Sequence, residues 1–160
     1  MTRKLLLLLL MPLLMALSAH AQHEQDFAER FMKLHAEKSS LQCTTVSPLM
    51  LERMMQLPDV KENEHMQQVL KQLKSIRMVH NVDERETQKL YDDALHLVTR
   101  NAARYKPYAK QQNKSLYVRK RGKIIVEMVL LMKHNKQLQL INLTGNMTED
   151  FMKQLFGNVI

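Results

Sequence analysis

The stretch from Ser115 to Thr144, SLYVRKRGKIIVEMVLLMKHNKQLQLINLT, decides the fold. Its apolar and β-branched residues fall into three runs separated by two short polar turns, the pattern of consecutive antiparallel strands. The first run is Leu116–Arg119, and the turn after it covers Lys120–Lys123 with Gly122 inside. The second is Ile124–Met132, the next turn is His134–Lys136, and the third run is Leu138–Thr144. In the second run both alternating sets are apolar, Val126, Met128, Leu130 and Met132 against Ile125, Val129 and Leu131, with Glu127 the exception. A strand apolar on both sides belongs in the centre of a sheet.

Helical periodicity flanks this unit. Phe27, Phe31 and Leu34 share one side of a short helix over 24–37. Leu41–Val46 (LQCTTV) reads as a strand, and Ser47 then caps a helix with Pro48 at its first position. Met50, Met54 and Leu57 form that helix's stripe, with Leu51 and Met55 beside it, and Pro58 stops it. A helix over 62–73 carries Met66, Val69, Leu70 and Leu73. Ser75–Val82 follows as a strand with one face buried, its set Ile76, Met78, His80, Val82 alternating with Arg77 and Val79. Asp83 and Glu86 have capping-box spacing ahead of a long helix over 84–103. Residues Arg104–Ser115 contain Pro107 and many polar groups, so they form either a linker or a distorted edge strand. Thr148 caps a last helix ended by Gly157. The expected fold is α+β: a single domain with a mainly antiparallel sheet, a C-terminal three-strand meander and helices packed on it.

The start of the chain reads as a secretory signal peptide over 1–21. Arg3 and Lys4 precede the apolar run Leu5–Leu17, and Ala19-His20-Ala21 supplies the small-residue cleavage site. The run is too short to span a bilayer, and no second one follows. Cleavage between Ala21 and Gln22 would leave an exported, periplasmic or secreted domain over 22–160 with no transmembrane segment. Cys43 is the one cysteine, so the fold rests on packing rather than on an internal disulfide; on a strand it is expected to be a small buried residue.

These features, in order, resemble the exported bacterial family catalogued as domain of unknown function 4252. The resemblance rests on the apolar helix after the leader, the segment Leu73–Val79 (LKSIRMV) before a long helix, and the tyrosines of Tyr105–Tyr108. The paired strands around Gly122 and the segment Leu143–Met147 (LTGNM) complete it. It implies a small envelope domain of Gram-negative bacteria and supplies no catalytic residue.

Chemistry-bearing motifs are missing. There is no HExxH, no paired CxxC, no phosphate-binding glycine loop and no G-x-S-x-G elbow, so the sequence points away from an enzyme and to no cofactor or metal. Glu127 reads as a cross-strand partner for a basic residue. The alternative is a small periplasmic hydrolase or metal-dependent enzyme, its site assembled from the scattered His35, His65, His80, His96 and Glu127.

Charge is the clearest functional signal. Without Arg3 and Lys4 the chain has 22 basic and 16 acidic residues, +6 in all, yet residues 100–136 alone hold 11 basic groups against Glu127. Arg119, Lys120, Arg121 and Lys123 crowd one turn and are the expected binding residues for an anionic partner; Lys133 and Lys136 crowd the other. A strand of about nine residues separates the turns by about 30 Å, so they form no single patch unless another element bridges them. Tyrosines among the cations fit nucleic-acid platforms too, but export argues against nucleic acid. The expected role is a non-enzymatic interaction module whose basic surface meets an anionic envelope component or an acidic protein.

Overall fold

We describe residues 24–156 of a computed structural model; the leader over 1–21 and the helix-ending Gly157 lie outside the described residues. In chain order the elements are α1 (Phe27–His35), β1 (Leu41–Val46), α2 (Pro48–Met55), α3 (Pro58–Lys61), α4 (Glu64–Lys71) and β2 (Leu73–Asn81). Then come α5 (Thr87–Arg100), β3 (Lys106–Gln111), β4 (Lys114–Arg121), β5 (Ile124–His134), β6 (Gln137–Met147) and α6 (Glu149–Phe156).

Turn chemistry sets the register of the meander. Asn135 and Lys136 both adopt positive φ, 49° and 60°, which makes the β5–β6 connection a type I′ turn matched to strand twist. Gly122, at φ 61°, supplies the same freedom between β4 and β5. The six strands form one antiparallel sheet in the order β1-β2-β6-β5-β4-β3. The fold is α+β, and the doubly apolar β5 is central, between β4 and β6. Residues 106–111 resolve the two readings of the Pro107 region: they are an edge strand, with a register shift between Pro107 and Ala109.

Helices cover both faces. Phe27 and Phe31 of α1 and Leu90, Tyr91, Ala94 and Val98 of α5 pack on Val79, Tyr117, Val129, Leu131 and Leu140. On the opposite face, Phe151 and Met152 of α6 meet Leu116, Met128, Leu130 and Leu143. The α2–α4 layer covers the start of β2 there, through Leu51, Val60 and Leu70 against Val46 and Ile76.

Several local expectations are corrected. Burying α2 by Leu51 and Met55 turns Met50, Met54 and the following Leu57 outward. Leu34 is 58% exposed, because α1 rests on the sheet through its first two turns only. On β2 the deeply buried residues are Val79 and Asn81, while Met78 and Val82 are exposed: α2–α4 reach only the Ile76 end of that face. A register shift in β5 between Ile125 and Glu127 moves Ile125 onto the face of Met128 and Leu130. Cys43 is exposed, since β1 is an edge strand. Glu86 closes no capping box. Its carboxylate accepts from the Ser40 N–H at 2.8 Å and O–H at 2.7 Å, and Asp83 caps a 3₁₀ turn instead.

Gly145 marks the closest backbone approach. A Cβ there would sit 2.0 Å from the Gln72 carbonyl oxygen, which accepts the Asn146 N–H at 2.8 Å. Gly145→Ala must therefore separate β6 from the α4–β2 turn. It is expected to lose about 2–3 kcal/mol of stability, read as a lowered urea midpoint.

Candidate functional site

The first turn of α1 ends inside the protein, so its orphan N–H groups need buried partners. Each has one. The Phe27 N–H donates to Glu127 Oε1 at 2.6 Å, the Ala28 N–H to Asn142 Oδ1 at 2.8 Å, and the Glu29 N–H to Asp26 Oδ1 at 2.8 Å. Glu127 is fully buried. Its Oε2 accepts from the Tyr105 O–H at 3.0 Å and from Arg119 Nε at 2.9 Å, and Asn142 Nδ2 lies 3.3 Å from Oε1. Arg119 pairs with Glu127 across β4 and β5, as the sequence suggested. All four strong acceptor directions of the carboxylate are taken, which leaves none to abstract a proton from a substrate. Glu24 bridges Arg104 at 2.9 Å and Arg119 at 3.1 Å on the outside of this cluster.

This architecture divides the four expected binding residues into two pairs. Arg119 is 16% exposed and held by Glu127 and Glu24. Lys120 pairs with Glu149 at the start of α6, where its ammonium holds the Glu149 carboxyl below the usual carboxylate range; the Tyr108 O–H also donates to that carboxyl, at 3.3 Å. Arg121 and Lys123 project from the turn, exposed and without an acidic partner among the described residues.

The two basic turns are connected. β3 runs alongside β4 between them, with Lys106 opposite Val118 and Lys110 opposite Ser115. Lys114 opens β4, and the β3–β4 turn touches the far end of β5, where the Lys133 N–H donates to the Asn113 carbonyl at 3.1 Å. Lys106 and Lys110 are exposed, and neither they nor Lys114 meets an acid among the described residues. Arg121 and Lys123, then Lys106, Lys110 and Lys114, thus follow one sheet edge over about 20–25 Å, while Lys133, on β5, turns its ammonium to Gln88 and the Tyr91 ring. The sequence reading had not singled out Lys106, Lys110 and Lys114. The signal for them was the proline that marks an edge strand, set among lysines four residues apart.

Residues 25–155 match the family described as Domain of unknown function (DUF4252). The chain belongs to that family. No curated protein and no solved structure matches it.

Elsewhere the DUF4252 domain offers little convergent chemistry. Among the described residues no three His, Cys, Asp or Glu side chains gather as a metal site would require. His35 lies 3.7 Å from Asp93, and burial lowers its pKa below the ordinary value against the pull of that carboxylate. His80 lines an open hollow of about 250 Å³ with Thr44, Met78, Gln139 and Ile141, where no second titratable group joins it. No helix among the described residues is long and apolar enough to cross a membrane.

The Glu127 cluster makes two measurable demands. Glu127→Ala strands Arg119 and the α1 N-terminus and should cost about 3–5 kcal/mol in chemical unfolding. The Tyr105 phenol is pushed up from 10.0 to about 12 by burial and by the Glu127 charge. A folded pKa above the unfolded value stabilises fully below pH 10 and is lost as pH rises towards 12. Ultraviolet titration should show a late phenolate that Tyr105→Phe removes.

Proposed function

We propose that this domain is a non-enzymatic, exported binding module that lays the basic β3 edge against an anionic lipid surface of the cell envelope. The observation that carries the reading is the basic β3 edge: Lys106, Lys110 and Lys114 extend the Arg121–Lys123 turn with no ion pair among the described residues, whereas Lys136 of the other turn pairs with Glu84 at 3.6 Å and Lys133 donates to Gln88 at 3.0 Å. Lys106 and Lys110 lie about 10–13 Å apart along β3, further than the Debye length at physiological salt, while Lys110 and Lys114 are close neighbours across the β3–β4 hairpin. Strung along an edge, they suit a repeating anionic surface rather than a single small anion; the hollow beside Lys110 and Lys114, lined by Ala109, Leu116, Leu130 and Phe156, holds only about 10 Å³. Arg119 and Lys120 support this surface indirectly, by holding the hairpin and α6 in place.

Co-sedimentation with phosphatidylglycerol-containing vesicles tests the reading. Basic residues near an anionic surface contribute about 1 kcal/mol each. Replacing Lys106, Lys110, Lys114, Arg121 and Lys123 by Gln should therefore weaken binding by roughly three to four orders of magnitude and flatten its salt dependence, with Tm unchanged. Equal binding to neutral vesicles, or a variant that binds as well as the native chain, would discard the lipid surface. Capture of an acidic protein in place of lipid would redirect the same strip to that partner class.

A further inference from the structure

The opposite edge of the sheet differs from β3 in every respect that protects an edge. β3 carries two lysines, a proline and a register shift, the usual devices against strand addition. β1 reads LQCTTV, with no charge, no proline and a regular register against β2. Among the described residues, the backbone groups that β1 leaves unpaired can be assigned. The Val82 N–H donates to the Ser40 carbonyl at 3.1 Å, which makes Ser40 and Val82 a hydrogen-bonded pair. Because such pairs alternate in an antiparallel ladder, Gln42, Thr44 and Val46 bond β2, and Leu41, Cys43 and Thr45 point their N–H and C=O groups outward.

We propose that β1 pairs antiparallel with β1 of a second copy about a two-fold axis, making one continuous sheet. The strand is complementary to itself. With the axis at Cys43, Leu41 faces Thr45 and Gln42 faces Thr44 of the other copy, so no like charges meet. Three outward-facing pairs would exchange roughly six N–H···O=C bonds. Pro48 and the 3₁₀ turn at Ala36–Lys38 limit the paired length at its two ends. The basic strips lie on the far edges, several strands from the axis, where their mutual repulsion is weakest. A two-fold dimer is also the commonest closed assembly.

Sedimentation equilibrium of the chain tests this pairing. A reversible monomer–dimer equilibrium is expected, with Cys43 thiols linked across the dimer by a short bis-maleimide, since axes at Cys43 or Thr44 both place them within about 9 Å. Thr44→Lys, at an exposed position, should weaken association at least about tenfold through like charges at the axis while leaving Tm unchanged. Lys110→Glu on the other edge should leave association intact. A chain that stays monomeric at high micromolar concentration overturns the proposal. So does a dimer that resists cross-linking at Cys43, ignores Thr44→Lys, or is dissociated by Lys110→Glu.

Discussion

The docking of the α1 N-terminus on the Glu127 carboxylate is the constraint on which the rest of the structure depends. A helix end buried against a sheet carries donors that water cannot reach, and a buried carboxylate carries acceptors with the same problem. Each is expensive alone; together they answer one another, and the helix dipole favours the negative charge at that end. Arg119 from β4, Tyr105 from the approach to β3 and Asn142 from β6 complete the shell. One side chain therefore fixes α1 over three adjacent strands. Asp26 extends the clamp to β2 through Arg77 at 2.7 Å. The register shift beside Glu127 fits this role: it turns Ile125 to the other face while Glu127 stays beneath the helix.

That clamp also decides which cations can act outside the protein. Arg119 and Lys120 belong to the same turn as Arg121 and Lys123 in the sequence, and charge counting treats all four alike. Folding separates them by what they face. Arg119 neutralises a buried carboxylate, so removing it would disturb the fold before it changed any surface, whereas Lys120 is half-exposed and spent on Glu149 at the start of α6. Arg121 and Lys123 are exposed and form no ion pair among the described residues, although Arg121 is near enough to Glu24 to help hold that carboxyl below its ordinary range.

How much of this was legible in the sequence depended on the range of the interaction. The meander, the central place of β5, the Ser47 cap with its 3.3 Å bond from the Met50 N–H, and the α+β class all follow from local pattern and turn chemistry. Glu127 stood out as an acid on an apolar strand that needs a basic cross-strand partner, but that the partner is Arg119 depends on a register shift beside it: an unbroken hairpin register would set Arg119 against Val126. The other donors could not be read, since Phe27 is 100 residues away and no periodicity links the two. The α2 stripe failed for a related reason. Its apolar residues nearly encircle the helix, so periodicity offers Met50 and Met54 as readily as Leu51, and only the shape of the β2 face decides. Glu86 had capping-box spacing, but Ser40 offered two donors at once and won.

Helices cover both faces except around Met78 and His80, and the two edges of the sheet are built for opposite purposes. β3 repels another strand and gathers cations; β1 presents unspent backbone groups with no charge to deter pairing. Pairing through β1 would give a sheet of twelve strands with its basic edges about 50 Å apart at a strand spacing near 4.8 Å. The two-fold axis turns the second basic edge through 180°, so the two strips would face away from each other. A dimer of that shape gains little avidity for one flat surface, because both strips cannot lie on it together. It would instead hold two anionic surfaces at a separation set by the width of the sheet.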